Sequence, residues 1–219
     1  MAISVNGYDL FIFDLDGTLV DSQKDLTAAA NQVRIVKKLP ALTINTIRSF
    51  VGNGVRILLE RTLPGAAPET IDDAVLRFKA YYADHLLDTT ALYPGIEKVI
   101  KDLKGARLAV LTNKPEQFAR DILRGLSIDA YFSVVYGGDT GPKRKPDPAP
   151  LVEILNALRV RHERAIMIGD GVNDILAARA AGVRCAAVGY GYTDKEELLK
   201  HRPDYFFENP EDILSLFVR

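Results

Sequence analysis

The sequence predicts an α/β fold, a doubly wound parallel sheet of Rossmann-like type with a small all-helical segment inserted after the first strand. Three observations lead there. Short apolar or β-rich runs alternate with helical patterns through most of the 219 residues. Between about residues 21 and 90 that alternation stops and only helical patterns remain. Motifs rich in Asp, Gly, Thr and Lys fall at the ends of the runs or at helix starts, where an open parallel sheet binds its ligands.

The first run, residues 8–13, is apolar throughout and stops at Asp14, as a buried strand does. The inserted stretch reads as helices over 25–38, 43–50, 55–63 and 70–87, with turns at Gly52-Asn53-Gly54 and at 63–68. Strand-like runs resume at 108–111, 133–136, 165–168 and 185–188, with a weaker one at 204–207. Pro94, Pro115 and Pro148 read as first-turn prolines, with Asp147 as an N-cap. Gly105, Gly125 and Gly182 stand where helices end. The expected domains are an α/β core of residues 1–20 and 91–219 and a helical cap of residues 21–90. The cap follows the first polar motif directly and is placed to act as a lid.

Composition narrows the function classes. A chain that is 47% hydrophobic and 26% charged can bury a full core, and a net charge of −1 gives no field to hold nucleic acid or an anionic membrane. The single cysteine, Cys185, fits a reducing compartment and reads as strand packing. No apolar run approaches the ~18 residues of a membrane span, and no signal-peptide pattern opens the chain. A cytoplasmic protein is expected, as a monomer or a homodimer. His85, His162 and His201 share no ligand spacing, and Tyr190 and Tyr192 read first as structural.

The chemistry resides in four motifs: Asp14-Leu15-Asp16-Gly17-Thr18, Thr112-Asn113, Lys145-Pro146 and Gly169-Asp170-Gly171-Val172-Asn173-Asp174. Carboxylates, hydroxyls and an ammonium brought to one crevice can move a phosphoryl group through a carboxylate with a divalent metal. In this order the motifs resemble those of the haloacid dehalogenase superfamily, in its phosphatase branch, across essentially the whole chain. Residues 50–54, 136–139, 145–148 and 189–192 are further similar to the bacterial phosphoglycolate phosphatases.

The resemblance implies a superfamily-type core and cap, Mg²⁺ as cofactor and a small phosphorylated metabolite, 2-phosphoglycolate first, as substrate. Asp14 at a strand tip can attack phosphorus in line, and Asp16 can serve as acid to the leaving group and then as base to water. Gly17 lets the backbone turn beside the phosphate, and Thr18 offers a hydroxyl there. Thr112 and Asn113 precede a helix start suited to phosphate oxygens. Asp170 and Asp174, four residues apart at a helix start, share a face and complete a metal set with the Asp14 carboxylate and the Asp16 carbonyl. A phosphate dianion with three ionised aspartates totals about −5. Mg²⁺ and Lys145 return about +3, so a neutral Asp16 is electrostatically coherent in the first step. For the distal end of the substrate the sequence suggests Asn53 in its glycine-flanked turn and Arg56 as a charged fork. A phosphosugar mutase, a phosphatase for a sugar phosphate or pyrophosphate, and a non-catalytic metabolite-binding protein remain open alternatives. Hydrolytic dehalogenation is disfavoured by Asp16 and the metal set.

Overall fold

The computed structural model describes residues 7–217. The end residues 1–6 and 218–219 of the expected core lie outside them. Six strands form a parallel sheet: β1 (Leu10–Phe13), β4 (Arg107–Leu111), β5 (Phe132–Tyr136), β6 (Ala165–Gly169), β7 (Arg184–Val188) and β8 (Tyr205–Phe207). Their order across the sheet is β5-β4-β1-β6-β7-β8, so β1 lies between the strands that precede the second and fourth motifs. Its register places Phe13 beside Val110 on one flank and Ile168 on the other.

Alternation along β1 explains the two cores. Phe11 and Phe13 face one apolar cluster, with Val99 and Ile100 from α5 (Ile96–Asp102) and Ile122 from α6 (Glu116–Gly125). Leu10 and Ile12 face the other, with Ile154 from α7 (Ala149–Leu158) and Ile175 from α8 (Val172–Ala180). Strand side chains point alternately to opposite faces, so one fully buried strand feeds both layers. A short helix, α9 (Lys195–Lys200), precedes β8.

Between β1 and β4 the chain forms α1 (Gln23–Val36), α2 (Ile44–Arg48), α3 (Val55–Thr62) and α4 (Pro68–His85). The two-residue strands β2 (Val20–Asp21) and β3 (Ala91–Leu92) pair antiparallel where the chain enters and leaves this insertion. Sequence periodicity identified no strand there, because two residues carry no period. Beside this ribbon Asp25, buried in the first turn of α1, accepts hydrogen bonds from the backbone N–H and hydroxyl of both Thr89 and Thr90 at 2.6–3.1 Å. Burial works to raise its pKa, but these donors outweigh it and hold the carboxyl below its usual range.

Punctuation shifts by a residue or two. Pro115 and Pro148 stand at the N-cap positions of α6 and α7 rather than inside the first turn, and Pro94 precedes the N-cap Gly95 of α5. Asp147 still accepts the Ala149 N–H at 2.9 Å, as a capping side chain does. Gly182 follows α8 with φ 70°, whereas Gly125 is the last residue of α6 and Gly105 lies past the Leu103 cap of α5. Among the described residues no helix is long and apolar enough to cross a membrane.

Candidate active site

The central strand delivers the first aspartate. The Asp14 N–H donates to Ile168 O at 2.9 Å, which carries the β1–β6 ladder one residue past Phe13 and fixes Asp14 at the rim. Its Oδ1 accepts from Leu15 N at 2.7 Å and lies 3.0 Å from Lys145 Nζ. Gly17 then turns with φ 84°, and a Cβ there would fall 2.2 Å from Asp170 Oδ2. No side chain fits between this turn and Asp170, which explains the glycine in the first motif.

Asp170 lies just beyond β6, ahead of the N-cap Gly171 of α8, and Asp174 is in the helix's first turn. The two therefore do not share a helix face as their spacing suggested. They converge because the loop turns back: ligand oxygens of Asp14, Asp170 and Asp174 all lie within 4.8 Å of one another. Thr18 Oγ1 and Tyr192 N each donate to Asp170, at 2.9 and 2.8 Å, and Gly171 N donates to Asp174 at 2.9 Å. Thr18, expected beside the phosphate, is fully buried with its hydroxyl on Asp170, so it orients that carboxylate from behind.

Lys145 is the positive centre of this group. Its buried ammonium reaches Asp174 Oδ1 at 2.5 Å and Leu111 O at 2.7 Å besides Asp14. Burial would depress its pKa, but Asp14 and Asp174 prevail and raise it. One ammonium does not neutralise three carboxylates. Burial, reinforced by Asp14 and Asp174, pushes Asp170 up to about 8, and burial carries Asp174 to about 6 against the pull of Lys145. A cluster of hard oxygen donors short of positive charge suits a divalent cation.

Beyond β4, Thr112 and Asn113 are buried beside Asp14 and Asp16. The Asn113 amide donates to Lys145 O at 2.9 Å and to Gly52 O at 2.8 Å, and its buried Oδ1 has no partner among the described residues. Asn173 of the fourth motif also donates to Gly52 O, at 3.0 Å, and to Asn53 Oδ1, at 3.1 Å. The Gly52-Asn53-Gly54 turn of the insertion therefore rests on the core motifs, with the Asn53 side chain on Asn173. Arg56 does not join them. Its guanidinium pairs with Asp72 at 2.5 Å and Glu60 at 3.4 Å on the exposed surface of the insertion, which raises its pKa. Helical phase turns it away, and Arg48 lines the cleft instead.

Asp16 has partners that sequence reading missed. Ser22 Oγ donates to its Oδ1 at 2.5 Å, and Lys114 Nζ lies 2.8 and 3.1 Å from its two oxygens. Lys114 is buried beside Tyr82 of α4, whose hydroxyl accepts from it at 2.8 Å. The one available signal for Lys114 is its place directly after Thr112-Asn113. Tyr82 carries none, because it is one apolar-face residue among several on its helix.

A parallel sheet with β1 central, an aspartate at its tip, an acidic pair beyond β6 and a buried lysine between them define a class of hydrolase. The chain belongs to the haloacid dehalogenase-like hydrolases, whose family model matches residues 11–188. Its relatives are more specific. It is 41% identical over 214 residues to phosphoglycolate phosphatase 1 of Pseudomonas aeruginosa, covering 94% of this chain and 78% of that one. It is 42% identical over 222 residues to the phosphoglycolate phosphatase of Colwellia psychrerythraea, covering 96% and 97%. The crystal structure of a predicted phosphoglycolate phosphatase from Haemophilus somnus superposes with a TM-score of 0.91 at 32% identity, covering 95% of this chain and 97% of that one.

Proposed function

We propose that this hydrolase is a Mg²⁺-dependent phosphomonoesterase that converts 2-phosphoglycolate to glycolate and phosphate, with residues 21–90 as its cap. The observation that carries the reading is the convergence of Asp14, Asp170 and Asp174 around the Lys145 ammonium, lining a cleft of about 330 Å³. The names of its relatives point to the substrate.

Asp14 attacks phosphorus in line, forming an Asp14–phosphorus bond as the ester bond breaks, and Asp16 gives its proton to the departing glycolate oxygen. A water then loses a proton to Asp16 and attacks phosphorus, and the aspartyl–phosphorus bond breaks to release phosphate. Lys145 offsets the charge of Asp14 and Asp174 throughout. Asn113, and Thr112 beside it, border the phosphate position, while Gly17 turns the backbone against Asp170 and Thr18 orients the Asp170 carboxylate. The carboxylates of Asp14, Asp170 and Asp174 and the carbonyl of Asp16 would hold Mg²⁺, which would supply charge neutralisation at the phosphate. The Gly52-Asn53 turn, held by Asn113 and Asn173, covers the site and limits water.

The test is phosphate release from a panel of phosphorylated acids, sugar phosphates and pyrophosphate, ranked by kcat/KM, with and without EDTA. 2-Phosphoglycolate is expected to rank first. A hexose phosphate or pyrophosphate ranking first overturns the substrate assignment, and undiminished activity after exhaustive chelation overturns the metal.

A further inference from the structure

Two spaces flank Asp14 and Asp16, and they differ in chemistry. The larger is polar and contains Lys145, Asp170 and Asp174, the groups that engage phosphate and metal in the proposed reaction. The smaller, about 40 Å³, lies between core and cap. Its walls are largely apolar, with Leu26, Leu58, Phe78 and Phe118 among them; Thr112 and Asn113 line it beside Asp14 and Asp16, and Lys114 and Tyr82 are its remaining polar groups.

Because Asp16 protonates the leaving oxygen, the leaving group must lie within hydrogen-bond reach of Asp16. With phosphate on the polar side, the rest of the substrate projects into the small space. There the Lys114 ammonium is 2.8 Å from Asp16 Oδ1. In glycolate the ester oxygen and the far carboxylate oxygens are separated by about 3.5 Å, by ordinary bond lengths. A carboxylate on a two-carbon chain therefore reaches Lys114 from a leaving oxygen held at Asp16.

The donors match it. The Tyr82 hydroxyl accepts from Lys114, and its own proton meets no acceptor among the described residues. Burial pushes that phenol up to about 12, so it keeps the proton at neutral pH. An ammonium and a committed donor facing one apolar space make an anion site, and apolar walls strengthen both contacts. Volume sets the size. At roughly 10–15 Å³ per water-sized group, the space takes about three to four such groups, the size of a carboxymethyl and less than a sugar ring.

We propose that Lys114 and Tyr82 read the substrate's carboxylate and confine the enzyme to phosphorylated two- or three-carbon acids. The assignment rests on the phosphatase reading above and adds the residues that select. An incoming carboxylate accepts a hydrogen bond from the Tyr82 hydroxyl and shares the ammonium with Asp16 in place of its longer, 3.1 Å contact.

The experiment compares kcat/KM for 2-phosphoglycolate with that for 2-hydroxyethyl phosphate, which has similar size and no carboxylate. The wild type is expected to favour the acid by roughly 100-fold, the scale of a charge-assisted pair lost from a dry site. Lys114→Met should bring the ratio to within about threefold, whatever it does to both rates through Asp16. Tyr82→Phe should cut the ratio by roughly 5- to 10-fold, and it decides the matter if Lys114→Met does not fold or turn over. Arg48→Ala, in the polar cleft, should preserve the ratio. A wild type without preference for the acid overturns the substrate reading together with this assignment. A wild-type preference that survives Lys114→Met, or Tyr82→Phe where that variant decides, overturns the assignment alone, as does a ratio that collapses in Arg48→Ala.

Discussion

Replacing Asp25 with asparagine tests whether the insertion is fastened at its base as the hydrogen bonds indicate. Oδ1 accepts from Thr89 and Oδ2 from Thr89 and Thr90, and the two Thr90 contacts, at 2.8 and 2.7 Å, are buried. An amide keeps one acceptor oxygen and turns an NH₂ toward donors. At least one donor pair is then stranded, at a cost of about 1–3 kcal/mol per buried group, and the remaining bonds lose their charge assistance. With Thr89 free to turn to water, about 2–3 kcal/mol is expected at pH 7. For a chain of this length that corresponds to roughly 5–10 °C in Tm, read by thermal melting. The sign with pH follows from the lowered pKa of Asp25. Its contribution is complete above the unfolded-state pKa of about 3.9 and is lost as pH falls through the lower folded value. The gap between wild type and Asp25→Asn should therefore be level from pH 6 to 8 and close in acid. A gap below about 0.5 kcal/mol at pH 7, or one that persists unchanged in acid, refutes the reasoning.

Asp14→Asn should lower kcat at least about 10³-fold while the melting curve stays near wild type, since an amide cannot form the acyl phosphate. Asp16→Asn should be severely impaired and retain a phosphoryl group on Asp14, visible by intact mass after an acid quench. EDTA should abolish activity and Mg²⁺ restore it, while Ca²⁺, with a larger and less regular shell, should inhibit; phosphate release under each ion checks this. Gly191→Ala would place a Cβ 2.3 Å from Asp170 Cβ and 2.4 Å from Gly17 O, so the Mg²⁺ concentration for half-maximal activity should rise about 10-fold or more. Arg56→Ala should change kcat/KM by less than about twofold, because Arg56 serves an exposed pair with Asp72.

The parallel core was legible because its central strands are buried apolar runs ended by polar motifs, and runs such as 165–168 fall within a residue of the observed strand. The metal-type cluster was legible for a different reason: Asp14, Asp170 and Asp174 lie just past the ends of adjacent strands, though the turn between β6 and α8, not a shared helix face, completes their approach. What escaped reading depends on packing between distant segments. The Asp25 carboxylate meets donors more than sixty residues away, and Lys114 meets Tyr82 across two elements. Neither pairing leaves a local pattern. Arg56 failed as a site residue for a related reason, since loop proximity does not fix helical phase, and that phase delivers it to Asp72.

The carbonyl of Gly52 accepts from Asn113 and Asn173, which follow β4 and β6 on opposite flanks of β1. Two neutral hydrogen bonds contribute together about 1–3 kcal/mol, a factor of roughly ten to a hundred in population. A contact of that strength biases the turn toward the sheet without sealing it there. Asn113 borders the proposed phosphate position, and Asn173 lies in the motif that carries Asp170 and Asp174, so an anion arriving at the core would meet neighbours on both sides of the carbonyl. In the proposed reaction, product leaving the cleft and the turn lifting from the sheet would draw on the same pair of amides.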